Sequence, residues 1–231
     1  MQDVALSSLE FADQRRRMVD CQLRPFSVTD EAVLAAFQAT PREIFLDPAQ
    51  RPIAYSDAPV SISIGASRRS LLTPMVLARL LQNADIGATD RLLDVAGGSG
   101  YSAAVASPLA GTVIALESEP GLTERARENA RTLGIANVTC VTGPLETGLE
   151  GQGPFDVILV NGAVECGLEP LLGQLADHGR LLTIECAPGQ TGLALKAVRY
   201  EKSGKEVGMR VLFDAAAPVL SAFARKPAFV F

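Results

Sequence analysis

The stretch from Arg91 to Ala106, RLLDVAGGSGYSAAVA, constrains the fold more than any other part of the chain. Its apolar beginning predicts a buried strand, Gly97, Gly98 and Gly100 predict a tight turn, and the small residues that follow predict a helix. A strand, a glycine turn and a helix in this order aim backbone N–H groups at a bound ligand. Side chains in the turn would block that ligand. We therefore expect an α/β protein with a ligand site at this turn.

Two acidic residues favour S-adenosylmethionine (SAM) as the ligand. Asp94 lies directly before the turn, where a carboxylate suits the ammonium group of a methionine moiety but would repel a pyrophosphate. Glu117 ends the next apolar run 23 residues later, a spacing that fits one crossover helix between parallel strands. An acid at that strand end can accept hydrogen bonds from both ribose hydroxyls. The alternatives are a structural turn without a ligand and a nicotinamide site, since Gly98, Gly100 and Ala103 also match GxGxxA.

The composition sets the class of protein. The 231 residues are 48% hydrophobic and 20% charged, which predicts one globular domain over residues 1–231. Residues 1–82 are expected to form a helical and substrate-loop part, and residues 83–231 the SAM-binding α/β core. The net charge of −5 argues against a broad nucleic-acid-binding face. No apolar run is long enough to predict a membrane-spanning helix.

The cysteines and the single histidine argue against several kinds of site. Four cysteines are widely spaced and form no CxxC pair, so we expect reduced thiols in a cytoplasmic protein. The N-terminus also lacks the apolar segment of a secretory signal. His178 is the only histidine, which argues against a Ser–His–Asp hydrolase and against a His-rich metal site. No metal is expected.

The order of the elements favours a methyltransferase over a dehydrogenase. Helical patterns fill the N-terminal part, and helices then alternate with continuous apolar runs that are typical of buried parallel strands. Two strand patterns, 194–200 and 208–213, follow near the C-terminus and are joined by the turn-like EKSGK. A mostly parallel, Rossmann-like sheet that ends in an antiparallel hairpin is the layout of the class I SAM-dependent methyltransferases.

A polar segment is expected to cover the ligand site. Residues 65–74, GASRRSLLTP, precede a helical pattern and are predicted to form a loop that leads toward the SAM turn. Their hydroxyls and guanidinium groups are suited to a carboxylate substrate. The candidates for this contact are Ser67, Arg68, Arg69, Ser70 and Thr73. An ordinary surface loop is the alternative interpretation.

The motifs and their order resemble those of the protein-L-isoaspartate O-methyltransferases, in a divergent bacterial branch. The resemblance extends over nearly the whole chain and includes the C-terminal LFDAAAPVLSAFARKPAFVF. It implies transfer of the SAM methyl group to the α-carboxylate of an L-isoaspartyl residue in a damaged protein or peptide. The matching positions are Met18-Val19, Gln22-Leu23, Pro41-Arg42-Glu43, Phe45, Ala54-Tyr55, Asp57, Gly98-Ser99-Gly100-Tyr101, Ala103-Ala104, Leu133-Gly134, Asn137-Val138 and Phe155-Asp156.

Three positions depart from the family pattern. Leu72 stands where the family has the serine that orients the substrate carboxylate, so Ser70 and Thr73 are the candidate catalytic residues. Ala96 replaces the first glycine of the SAM turn, and Pro144 replaces the acid that contacts adenine. The resulting cofactor site comprises Asp94, Ala96, Gly98, Gly100, Glu117 and backbone near Leu145. Because of Leu72, a methyltransferase for another acceptor and a SAM-binding homologue without catalysis remain alternatives.

Overall fold

The computed structural model describes residues 8–64, 67–186 and 195–225. The helices within these ranges are α1 (Ser8–Met18), α2 (Glu31–Ala39), α3 (Pro74–Ala84), α4 (Tyr101–Ala106), α5 (Pro120–Thr132) and α6 (Glu169–Gly173). The strands are β1 (Val60–Ile64), β2 (Ser67–Leu71), β3 (Arg91–Val95), β4 (Thr112–Glu117), β5 (Val138–Thr142), β6 (Phe155–Val164), β7 (Leu175–Glu185), β8 (Leu195–Ser203) and β9 (Glu206–Ala215).

Seven strands form the main sheet in the order β5-β4-β3-β6-β7-β8-β9. The first five strands in this order are parallel, whereas β8 and β9 form an antiparallel hairpin that pairs with β7. The predicted mostly parallel sheet with a C-terminal hairpin is therefore confirmed. Because β3 pairs with β4 on one side and with β6 on the other, the chain order reverses at β3. Ligands of open α/β sheets bind at the carboxyl ends of the strands at such a point.

The sheet is covered on both faces, as its continuous apolar runs predict. Leu92 and Leu93 are fully buried and belong to two different clusters of core residues, one on each face. The N-terminal helices and α3 pack into the cluster that contains Leu92. Within the part of the chain that the structure describes, no helix is long and apolar enough to cross a membrane.

The segment from 65 to 74 differs from the predicted loop. Residues 67–71 form β2, which pairs antiparallel with β1 in a small sheet of their own, with Ser61 opposite Ser70 and Ile62 opposite Arg69. We call β1 and β2 the hairpin. Pairing with β1 provides hydrogen bonds for the backbone N–H and C=O groups of a polar sequence that has little strand propensity of its own. Residues 65 and 66 of the predicted loop lie outside the described residues.

The C-terminal tail folds back onto the carboxyl half of β6. The backbone N–H of Ala163 donates to the Pro218 oxygen at 2.9 Å, and that of Leu220 donates to the Ala163 oxygen at 2.9 Å. A Cβ atom on Gly162 would lie 2.5 Å from Leu220 Cγ, so the glycine allows this close approach. The tail thereby reaches the edge of the sheet that carries the glycine turn. The last six residues of the tail, 226–231, lie outside the described residues.

Candidate active site

The glycine turn lies at the carboxyl end of β3, as predicted. Ala96, Gly98 and Gly100 adopt positive φ angles of +60°, +62° and +90°. The N–H of Gly98 donates to a carboxylate oxygen of Glu117 at 3.2 Å. A Cβ atom on Gly98 would lie 2.4 Å from Ile62 Cδ1, so the hairpin packs directly against the turn. Glycine is needed here both for the φ angle and for this close approach.

Polar side chains from distant segments hold the turn in place. Ser99 Oγ donates to the backbone oxygen of Phe45 at 2.7 Å. Asn129, on α5, donates to the backbone oxygen of Ser99 at 3.0 Å. Both serine and asparagine are buried. The turn is therefore fixed between the N-terminal part and α5 before any ligand is bound, which is the preorganisation that a cofactor site requires.

Asp94 is fully buried beneath the turn. Its two carboxylate oxygens accept hydrogen bonds from Asn161 Nδ2 at 2.7 Å and from Ser102 Oγ at 2.8 Å. Burial raises the pKa of this carboxyl from its ordinary value of 3.8 to about 6, although both hydrogen bonds oppose the rise. A Cβ atom on Gly97 would lie 2.2 Å from the carboxylate, which shows how closely the turn covers it.

Glu117 ends β4 next to the turn, and its carboxylate already has several donors. The N–H of Ser118 donates to one oxygen at 2.7 Å, in addition to the N–H of Gly98. The guanidinium of Arg69 donates to the same carboxylate through Nη2 at 2.7 Å and through Nε at 3.1 Å. The prediction placed Glu117 correctly at the turn. It did not foresee that a hairpin arginine would bind the carboxylate proposed for the ribose.

A cavity of about 350 Å³ is the candidate acceptor pocket, and Arg69, one of its lining residues, lies beside Gly98 of the turn. The hairpin contributes Ser61, Arg69 and Ser70, β6 contributes Asn161, and the tail contributes residues 218–221. Three serines and one arginine therefore line a single space. The amide of Asn161 already donates to Asp94 and to the backbone oxygen of Val95. Hydroxyl and guanidinium groups are suited to a carboxylate, whose two oxygens accept hydrogen bonds.

The types of residue at the site, a glycine turn and a carboxylate at the end of the next strand, fit SAM. The turn is too close to its neighbours for a Cβ atom at Gly98, and a carboxylate with 3% exposure lies at the end of the adjacent strand. The family model of protein-L-isoaspartate(D-aspartate) O-methyltransferase matches residues 14–214. This match confirms the class of protein. The chain belongs to the protein-L-isoaspartate O-methyltransferase family.

Comparison with individual relatives also supports this family. The chain is 40% identical over 172 residues to the protein-L-isoaspartate O-methyltransferase of Koribacter versatilis (strain Ellin345), covering 74% of this chain and 76% of that protein. It is 32% identical to protein-L-isoaspartate O-methyltransferase 2 of Pelobacter propionicus (strain DSM 2379 / NBRC 103807 / OttBd1), with 86% of each covered. A solved protein-L-isoaspartate O-methyltransferase superimposes with a TM-score of 0.78 at 25% identity, covering 90% of this chain and 66% of that one.

A second solved structure supports the fold alone. It is a putative protein-L-isoaspartate O-methyltransferase from Plasmodium falciparum in complex with S-adenosyl-L-homocysteine, with a TM-score of 0.72 and 23% identity. The match covers 90% of this chain and 98% of that chain. The predicted class I methyltransferase fold is thus confirmed.

The structure separates the two residues predicted to replace the family's serine. Ser70 lines the acceptor cavity. Thr73 instead caps α3, because its Oγ1 accepts a hydrogen bond from the N–H of Val76 at 3.4 Å. The signal for this role was present, since a threonine directly before a proline and an apolar helical pattern is a typical helix start. The structure thus favours Ser70 over Thr73.

Leu72, at the family's serine position, has become part of the core, with 4% exposure. The guanidinium of Arg42 donates from Nη2 to the backbone oxygen of Leu72 at 2.9 Å and from Nε to that of Ala54 at 2.9 Å. Arg42 itself is fully buried and lies 4.6 Å from the ring centroid of Tyr101. The family motif Pro41-Arg42-Glu43 therefore fixes the backbone that leads from the hairpin into α3, a role that the sequence alone did not show.

Leu145 lies after β5 at the same edge of the sheet, and its side chain is 2% exposed. It packs in the core cluster that also contains Leu116 and Val95, next to the turn and the end of β4. The neighbouring Pro144 is exposed. This placement is compatible with an adenine contact through backbone atoms, which remains a prediction.

Proposed function

We propose that this protein transfers the methyl group of SAM to the α-carboxylate of L-isoaspartyl residues in damaged proteins. The observation that carries the proposal is the family match over residues 14–214. The acceptor cavity supports it, because Arg69 and Ser70 line it and their side chains are suited to a carboxylate. The substrate partner is therefore a peptide or protein chain that contains an isoaspartyl residue.

The proposed cofactor site uses backbone and carboxylate groups at the carboxyl ends of β3 and β4. The turn at Ala96, Gly98 and Gly100 brings backbone close to the methionine part. Glu117 accepts hydrogen bonds from the ribose hydroxyls, and Asp94 contributes its negative charge from beneath the turn. Adenine lies against backbone near Leu145. The bound cofactor supplies an electrophilic methyl group.

The chemical demand on the protein is modest because a carboxylate is already a nucleophile. The chain has no need of a strong base at the acceptor. Ser70 and Arg69 instead hold the carboxylate, orient one of its oxygens toward the methyl group and replace the water that it loses. Thr73 acts indirectly by starting α3 at the end of the hairpin.

We also propose a division of roles within a single domain and a cytoplasmic location. Residues 83–231 carry the cofactor turn, and residues 1–82 supply the hairpin that closes the acceptor side. The contact between Ile62 and the turn supports this division. Cys21, Cys140 and Cys166 are thiols in the structure, which supports a reducing compartment.

Transfer of labelled methyl groups from SAM to an isoaspartyl peptide tests the proposal. The same peptide with a normal aspartyl residue is the substrate control. We expect labelling of the isoaspartyl peptide alone, and a loss of activity in Glu117→Gln and Ser70→Ala. Ser203→Ala, an exposed serine at the end of β8, is the matched variant that should retain activity. Binding of SAM without transfer to the isoaspartyl peptide would contradict the proposed acceptor.

A further inference from the structure

Arg69 connects the cofactor site with the acceptor cavity. Its guanidinium binds the Glu117 carboxylate through two nitrogens, and the two side chains are only 11% and 4% exposed. The same residue lines the acceptor cavity with Ser61 and Ser70. One arginine therefore contacts the group proposed for the ribose and faces the space proposed for the substrate.

The pair also holds the hairpin against the glycine turn. Among the described residues, β1 and β2 form a sheet of two strands only, and such a sheet has little stability of its own. Its position consequently depends on contacts such as Arg69 with Glu117 and Ile62 with Gly98. A ligand that takes over Glu117 therefore also changes what the hairpin arginine can bind.

We propose an exchange of hydrogen-bond partners by Arg69, in which cofactor binding releases its guanidinium from Glu117 so that it binds the acceptor carboxylate. This inference rests on the proposed function. Ribose hydroxyls donate to Glu117 in place of the Arg69 N–H groups, while the donors from Gly98 and Ser118 remain. A guanidinium that is largely buried and loses its carboxylate partner is costly, and the acceptor carboxylate restores the pair.

The exchange explains how this chain binds a carboxylate without the family's serine. Leu72 offers no hydrogen bond and lies in the core. Arg69, three residues earlier, has a planar guanidinium whose parallel N–H groups can bind both oxygens of a carboxylate. By linkage, the cofactor and the acceptor should then favour each other's binding.

Calorimetry on Arg69→Gln tests both halves of the exchange. S-adenosylhomocysteine should bind about tenfold more tightly than to wild type, because apparent affinity increases with the fraction of protein in the competent state. The isoaspartyl peptide, added to the complex with S-adenosylhomocysteine, should bind at least about tenfold more weakly, since a charge-assisted pair is lost. Arg69→Lys keeps the charge but not the parallel N–H groups, and should give intermediate values for both.

Arg125→Gln is the matched control. Arg125 makes a comparable interelement ion pair with Asp47 at 2.6 Å, and Arg125 is 19% exposed. This variant should leave both affinities unchanged. Weaker or unchanged binding of S-adenosylhomocysteine to Arg69→Gln would overturn the competition for Glu117. Unchanged peptide affinity would overturn the acceptor role.

The two proposals fail in different ways. If wild type binds S-adenosylhomocysteine but neither binds nor methylates the isoaspartyl peptide, the proposed function and the acceptor half fail together. The competition for Glu117 is still decided by the affinity of S-adenosylhomocysteine alone. If wild type methylates the peptide and Arg69→Gln binds both ligands as wild type does, only the exchange fails.

Discussion

Replacing Asp94 with asparagine is expected to stabilise the fold at neutral pH and to weaken cofactor binding. The Asp94 carboxylate is fully buried, and burial raises its pKa to about 6. Asparagine has the same shape, and its oxygen can accept the hydrogen bond from Asn161. Its NH₂ group can donate to Ser102 Oγ, because a hydroxyl accepts as well as donates. The substitution thus removes the charge while it keeps the contacts.

The size of the effect follows from the two pKa values of this carboxyl, 3.8 ordinarily and about 6 in the fold. Because the folded value is raised, the stability contribution of Asp94 is fully present below about pH 4 and is lost as pH rises through about 6. At about 1.36 kcal/mol per pKa unit, the ionised carboxylate destabilises the fold by up to about 3 kcal/mol. Rearranging the bond to Ser102 reduces the benefit, so we expect a net gain of about 1–3 kcal/mol at neutral pH.

Urea unfolding between about pH 4.5 and pH 7.5 measures this effect as the difference between Asp94→Asn and wild type. The advantage of the variant should grow up to about pH 6 and then stay constant. Asp177→Asn is the control, and it should be less stable than wild type rather than more stable. The N–H of Gly204 donates to Asp177 and lowers the pKa of that carboxyl, so its ionised form favours the fold. A difference for Asp94→Asn that does not change with pH would refute the reasoning. SAM calorimetry should show weaker binding to the same variant.

Two further substitutions test the turn and the buried arginine. Gly98→Ala should abolish SAM binding and lower the melting temperature, because its Cβ would lie 2.4 Å from Ile62 Cδ1 at a φ of +62°. Unchanged SAM affinity in a folded Gly98→Ala variant, measured by calorimetry, would remove the turn from the cofactor site. Arg42→Leu should lower the free energy of unfolding by about 2–5 kcal/mol, because the buried oxygens of Ala54 and Leu72 lose their donors. A loss below about 1 kcal/mol in urea unfolding would contradict this role.

The sheet and the cofactor turn were predictable because their signals are local. Continuous apolar runs indicate strands that are buried on both faces, and the structure places Leu92 and Leu93 in opposite clusters. The spacing between Asp94 and Glu117 fits one crossover helix, which brings Glu117 within hydrogen-bond distance of Gly98. No long-range information is needed for either step.

The hairpin and the environment of Asp94 were not predictable in the same way. The sequence SRRSL has no apolar alternation, and it forms β2 only because β1 pairs with it. The partner of Arg69 is 48 residues away in the chain. Asp94 was expected to face the ligand, but Asn161 from β6 binds its carboxylate from beneath the turn. Each of these contacts depends on how distant segments meet, which local patterns do not specify.

Placing a serine at position 72 is not expected to supply a donor for the carboxylate without a cost in stability. Leu72 lies in the core, and its backbone oxygen accepts a hydrogen bond from Arg42. Leu72→Ser would remove apolar contacts and bury a hydroxyl, at a cost of about 2–4 kcal/mol. A donor for the carboxylate must therefore come from a residue that lines the cavity, and the hairpin residues that do so are Ser61, Arg69 and Ser70. Under the proposed exchange, Arg69 supplies the hydrogen bonds that the family resemblance assigns to a serine at position 72.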